Sequence, residues 1–260
     1  MMRSLWYGIH AETVRLGGRR GPLVRASLPL GLLLPLLISL GVGFAAEQLH
    51  HSDGLIQVRE VGTTNALFWV ISLGITVHTV VAAYAQTTST RGSVGELHRH
   101  LLPRTGPDLL ARWAITGAAA ALCCLVTVIL VLTLLPVLFP GVYGQVDAWS
   151  PEGRRFLWAV PLYAVGACGI GIGVGALIRV PAAAVAVLTL WSLLIETALI
   201  YIPHGADLLG WMPFLNGQFA TGQDIALTPS WGPDGALLYV FVVAGALLGT
   251  AQVISLKKHL

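Results

Sequence analysis

Two side chains in this sequence could do proton or ligand chemistry out of water, His78 and Glu196. Each stands inside a long apolar run, His78 near its middle and Glu196 toward its end. A charge at such a depth in a bilayer costs about 2.5–3.5 kcal/mol or more, so each must face other helices or a wet cavity. One reading places them along a substrate path. The other makes them a neutral imidazole and a protonated carboxyl hydrogen-bonded to a neighbouring helix. No familiar catalytic constellation accompanies them. The chain lacks G-x-x-x-x-G-K-[ST], H-E-x-x-H and G-x-S-x-G, so phosphate-cradling, zinc-hydrolase and nucleophile-elbow chemistries are not expected. A haem bundle wants paired axial ligands within spans, and only His78 is available. Cys123, Cys124 and Cys168 all fall in apolar runs with no C-x-x-C spacing, so neither a metal centre nor a disulfide is expected.

A second concentration of chemistry is polar. The interval 86–108 reads QTTSTRGSVGELHRHLLPRTGPD and carries Arg91, Arg99 and Arg104, with Arg112 just beyond. Ser93 and Glu96 have the S-x-x-E spacing of a capping box, in which each side chain satisfies an orphan N–H at a helix start. Val94, Leu97 and Leu101 follow on one face. Pro103 ends this short helix, and Pro107 suits the first turn of the next. The interval is either a solvated basic loop that sets topology or a lever on which a partner pushes.

The elements that must position these residues are apolar. The chain has 260 residues, 55% hydrophobic and 10% charged, with a mean hydropathy of +0.77. Soluble domains carry about a quarter charged residues, and runs able to cross about 30 Å of hydrocarbon recur here. The expected fold is an all-α polytopic membrane protein forming a single transmembrane domain. Residues 1–21 form an amphipathic helix in the interface, with Met2, Leu5, Trp6, Ile9, Thr13 and Leu16 on one face and Arg3, Glu12, Arg15, Arg19 and Arg20 on the others. Six spans are expected at 26–46, 66–85, 109–138, 156–178, 181–202 and 236–256. The first has no A-x-A-like end and is read as retained, not as a cleaved signal.

Charge sets the orientation. With the N-terminus in the cytoplasm, the inner segments hold twelve of the 15 Lys and Arg residues, and the outer ones hold only Arg59, Arg154 and Arg155. Both termini are then cytoplasmic. The modest net charge of +3 follows from basic loops facing anionic lipid and gives no reason to expect nucleic acid as a partner. Residues 203–235 lie outside and carry neither Lys nor Arg. They are too apolar for a solvated loop and too broken by Gly210, Pro213, Gly217 and Gly222 for a span. They are either a pair of short re-entrant helices or an interfacial loop with an aromatic belt. In the fourth span Gly166, Gly169, Gly171, Gly173 and Gly175 give G-x-x-x-G spacings suited to close helix packing.

Taken in this order, the layout resembles the permease subunit of a type 2 ABC transporter. The resemblance covers nearly the whole chain. It rests on the basic interfacial helix with Glu12 and Arg15, six spans, the run Glu96, Leu97, Pro103, Arg104, Thr105 after the second span, and WMPFLNGQ at 211–218 before the last. Gly95 and the histidines of the loop depart from the family tendency. The resemblance implies an exporter subunit that dimerises, with itself or a similar permease, on separate ATP-binding subunits. Mg-ATP would be bound there, and this chain would carry no cofactor or catalytic residue. It assigns Val94, Glu96, Leu97, Leu101 and Arg104 to coupling. It leaves His78, Glu196, Trp211, Phe214 and Asn216 as candidates for the substrate path, and the sparse charge favours an amphipathic or lipid-like substrate. Two other classes share the six-span layout: an intramembrane enzyme, and a permease-like sensor or scaffold that moves nothing.

Overall fold

A computed structural model of the chain describes residues 2–18, 21–51, 60–89, 105–225 and 229–257. The coupling candidates Val94, Glu96, Leu97, Leu101 and Arg104 lie outside the described residues. The described residues form helices α1 (Met2–Gly17), α2 (Leu23–His50), α3 (Thr63–Ser89), α4 (Thr105–Leu138), α5 (Pro140–Tyr143) and α6 (Pro151–Ile178). They continue with α7 (Pro181–Ala198), α8 (Gly205–Leu209), α9 (Pro213–Thr221) and α10 (Gly232–Lys257). Six of these, α2, α3, α4, α6, α7 and α10, are long and apolar enough to cross a membrane. The protein is an all-α polytopic membrane protein, and the helical form of these six segments pairs backbone polar groups internally, as a lipid solvent requires.

α6 is the central post. It packs against α3, α4 and α10, and its glycines divide between two of these neighbours. A Cβ on Gly171 would lie 2.2 Å from the carbonyl oxygen of Thr79, and one on Gly175 would lie 2.8 Å from that of Ala83. On the other face Gly166, Gly169 and Gly173 meet side-chain atoms of Val240, Ala244 and Leu247 of α10. The G-x-x-x-G pattern therefore serves two faces at once, letting the backbone of α3 and the side chains of α10 close in on either side of one helix. Tyr163, Phe156, Ala164, Ala167 and Cys168 fill the remaining space with Val128 and Leu135 of α4.

α4 has 34 residues, about 50 Å at 1.5 Å per residue. This exceeds the hydrocarbon thickness of about 30 Å. α1 packs against its first turns, where Arg112 meets Glu12. Leu16 of α1 is buried as its position on the apolar face requires, and Thr13 is exposed. Glu12, counted on the polar face from the sequence, is 3% exposed. The helix is rotated so that a carboxylate, not only apolar groups, meets the bundle. At the same end, α6 turns into α7 through Arg179 in the left-handed region and the extended Val180.

Candidate functional site

Three polar arrangements interrupt the apolar bundle. The first lies where α1 meets the ends of α3 and α4. Arg112 donates from its two terminal nitrogens to Glu12 and to Gln86. Arg15 donates to the second Glu12 oxygen from Nε at 2.9 Å and from Nη2 at 2.7 Å, and reaches the Ala85 carbonyl at 3.4 Å. Glu12, Arg112 and Gln86 are each at most 4% exposed. Burial alone would push the Glu12 carboxyl up, but Arg112 and Arg15 outweigh it and hold the group below the ordinary glutamate value. Gln86 is in the last turn of α3 and Arg112 in the first turns of α4, so the cluster ties α1 to both flanks of segment 90–104.

The second is a seam between α2, α3 and α7. In each of these helices the turns widen to π geometry, over Leu23–Leu33, Val70–Gly74 and Trp191–Ile195. Among the described helices these three alone do so. Wide turns inside helices are uncommon and gather at functional positions. Here they border two cavities. A groove of about 530 Å³ runs along Arg25, Leu30, Val77, Tyr84, Thr189 and Leu193. A chamber of about 360 Å³ lies beyond it, with Ser72, Ser192, Leu193, Glu196, Leu215 and Gln218 in its wall. Leu193 belongs to both. Between them Thr76 donates to the Ser72 carbonyl at 2.7 Å, and its hydroxyl lies 3.2 Å from that of Ser192. The Ser72 hydroxyl is buried without a partner among the described residues.

The third arrangement docks the segment before the last span. α9 begins with Pro213 after Met212, a residue that cannot cap a helix. Glu196 supplies the acceptor instead: its carboxylate takes the N–H of Phe214 at 3.2 Å and of Leu215 at 2.7 Å, and Trp191 Nε1 donates to it at 2.9 Å. At the other end of α9, Arg155 donates to the Ala220 carbonyl at 3.0 Å. An anion at the N-terminus and a cation at the C-terminus both oppose the helix dipole. Asn216 donates to the carbonyls of Gly210 and Met212, both at 2.8 Å, and accepts from Trp231 Nε1 at 2.9 Å. Tyr163 approaches so closely that a Cβ on Gly217 would lie 1.9 Å from its ring. Glu47 repeats the device at the same end of the bundle, accepting from Gly141 at 2.9 Å and Val142 at 3.0 Å where α5 starts with Pro140.

Of the residues singled out for a path, Glu196 borders the chamber, with its oxygens engaged in the α9 cap. His78, Trp211, Phe214 and Asn216 line neither of these two cavities. His78 is 2% exposed, sits against Gly31, and neither ring nitrogen has a hydrogen-bond partner among the described residues. Trp211 is 59% exposed and packs edge-on to Trp231. Phe214 and Asn216 are buried in the α9 dock. Sequence reasoning missed the Glu12–Arg112–Gln86 cluster and the Thr76–Ser192 contact. It also missed the Glu47 cap, although Pro140 and Pro213, each following a residue that cannot cap, signal helix starts in need of an outside acceptor. Among the described residues no group of three His, Cys, Asp or Glu side chains could hold a metal ion. Comparison with protein-family models, with curated proteins and with solved structures finds no match to this chain.

Proposed function

We propose that this chain is the membrane-spanning permease subunit of an ATP-driven exporter of the type 2 ABC class, working with a second permease copy and separate ATP-binding subunits. Its basic end, with both termini, faces the cytoplasm, since twelve of 15 Lys and Arg residues gather there. The observation that carries the reading is the buried Glu12–Arg112–Gln86 cluster. A permease must convert a push on a cytoplasmic loop into movement of its spans. The cluster joins the interfacial helix to the two spans that flank segment 90–104, so a displacement of that segment is passed to α1, α3 and α4 together. Leu97, Val94, Leu101, Glu96 and Arg104 would form the face that the ATP-binding partner touches. The seam between α3 and α7, with cavities on either side of Thr76 and Ser192, offers amphipathic molecules a route with few charges.

Purification from its native membrane under mild detergent tests this directly. A chain with a Walker A motif should accompany the protein, and a cysteine at Leu97 should crosslink to it. Leu97→Asp should leave insertion intact and abolish the substrate response of ATP hydrolysis, because a charge on the docking face must be desolvated. Purification in active form with no ATP-binding chain, or labelling of the Leu97 cysteine from outside intact cells, would overturn the assignment.

A further inference from the structure

The groove beside α2 differs from an ordinary lipid-facing surface in three ways. It is walled by three helices, with Arg25 and Leu30 from α2, Leu73, Val77 and Tyr84 from α3, and Val185 and Thr189 from α7. It has a floor, since Leu193 and the Thr76–Ser192 contact close it from the chamber beyond. Its charge is one-sided: among the described residues Arg25 is the one cation on its wall and no acidic side chain lines it, and Arg25 makes no ion pair with a described residue.

Depth and chemistry fit one kind of occupant. From Tyr84 to Leu73 the wall runs eleven residues along α3, about 16 Å at 1.5 Å per residue. That is about half the hydrocarbon thickness, one leaflet from headgroup level to mid-bilayer. The walls between are Leu30, Leu73, Val77, Val80 and Val81, and the mouth presents a guanidinium and a phenol. Basic pockets between spans select anionic lipid headgroups. We propose that this groove is a binding site for one anionic phospholipid, with an acyl chain laid along Val77 and Leu30 and its phosphate held by Arg25 and the Tyr84 hydroxyl. The wide turns of α2 at Leu23–Leu33 contribute Arg25, Ala26 and Leu30 to this wall. This groove is one of the two cavities of the proposed route, but the binding claim does not rest on the exporter reading: a resident lipid would occupy it equally, and its binding is tested without ATP or a partner subunit.

The full chain is placed in phosphatidylcholine nanodiscs containing a small fraction of a phospholipid with a photoreactive acyl chain, carrying either a phosphatidylglycerol or a phosphatidylcholine head. Adducts are mapped by peptide mass spectrometry. The exposed face of α10 at Leu238 and Val242 reports ordinary lipid contact and serves as the reference. The phosphatidylglycerol probe should label the 73–80 stretch about fivefold more than the phosphatidylcholine probe, the ratio one basic residue near a charged surface supplies. Arg25→Glu should abolish that preference without changing the reference face. Val77→Trp fills the groove and should remove labelling by both probes. Leu30→Trp, at a half-exposed position that tolerates bulk, should do the same if Val77→Trp fails to fold. Equal labelling by the two headgroups, or groove adducts that survive both tryptophan variants, would overturn the site. Failure here would leave the exporter reading standing, and absence of an ATP-binding partner would leave this site standing.

Discussion

The guanidinium of Arg112 donates to the carboxylate of Glu12 across 100 residues of chain, with both side chains out of water. Gln86 shares the same guanidinium, so one cation holds two other elements. Breaking a buried pair by removing one partner leaves an uncompensated charge and costs about 3–5 kcal/mol. Glu12→Ala should therefore release α1 from the bundle. Tryptic cleavage after Arg15 should become fast, and the thermal midpoint should fall. Glu12→Gln keeps one acceptor oxygen and should fall between. Wild-type protection of Arg15 in the Ala variant would show that apolar contacts such as Leu16, and not the pair, hold α1.

The same carboxylate gives the attachment a pH dependence of fixed sign. Arg112 and Arg15 hold its folded-state ionisation below the ordinary glutamate value. A depressed acid stabilises the folded state above its unfolded value, and that contribution is lost as pH falls through the folded one. Protection of Arg15 should be flat from neutral pH down to the ordinary glutamate range and decline only below it. Amide hydrogen exchange around Arg15, corrected for its intrinsic pH dependence, is the probe. Glu12→Gln should show a lower plateau and no such decline, and a decline shared by both proteins would move the origin to another carboxylate.

Glu196 makes a different kind of contribution. Its acceptors serve two backbone N–H groups of α9 and the indole of Trp191 at 1% exposure. Glu196→Ala strips the cap and leaves these donors unsatisfied. A lost cap costs about 0.5–2 kcal/mol, and each buried orphan donor adds about 1–3 kcal/mol where water cannot reach it. The α9 dock should loosen by about 2 kcal/mol or more while the six spans stay assembled. A cysteine at Leu215, with Cys123, Cys124 and Cys168 replaced, should react with a thiol reagent much faster in the Ala variant than in Glu196→Gln. Equal reactivity would mean that Arg155 and Asn216 hold α9 unaided.

Six helices long and apolar enough to cross a membrane, and the helix α1, were legible because each rests on the polarity pattern of its own run. Before the last span only the breaks at Gly210 and Pro213 were legible; the polarity there fitted short helices and an interfacial loop equally. The glycine pattern of α6 was legible for a similar reason, since close approach leaves few alternatives to glycine. The polar cluster was not. The amphipathic pattern of α1 placed Glu12 outward, and nothing local to Gln86 or Arg112 reveals that the three meet. Contacts across 100 residues depend on how helices pack, which a one-dimensional polarity pattern does not encode. The π turns of α7 at Trp191–Ile195 lack even a proline to mark them, so the seam they border was invisible until the helices were placed.

His78 packs directly against Gly31 of α2. A methyl on Gly31 would lie 2.5 Å from Cε1 and 2.7 Å from Nε2 of the His78 ring, so the imidazole occupies the place of a side chain on α2. Gly31→Ala must push the ring or the helix aside, and overpacking of this kind costs about 1–3 kcal/mol. His78→Ala removes the obstruction and leaves a cavity that the new methyl partly fills. The double variant should therefore be more stable than the sum of the two single losses, by about 0.5–3 kcal/mol of coupling. Because neither ring nitrogen is hydrogen-bonded among the described residues, replacing the imidazole by an apolar group of similar size should be nearly neutral for stability. His78→Leu is the informative change, measured by thermal unfolding and by transport of the assembled complex. Retained stability with retained transport assigns His78 to packing against α2. Retained stability with lost transport assigns it to the path, where its free nitrogens would be what a passing substrate meets.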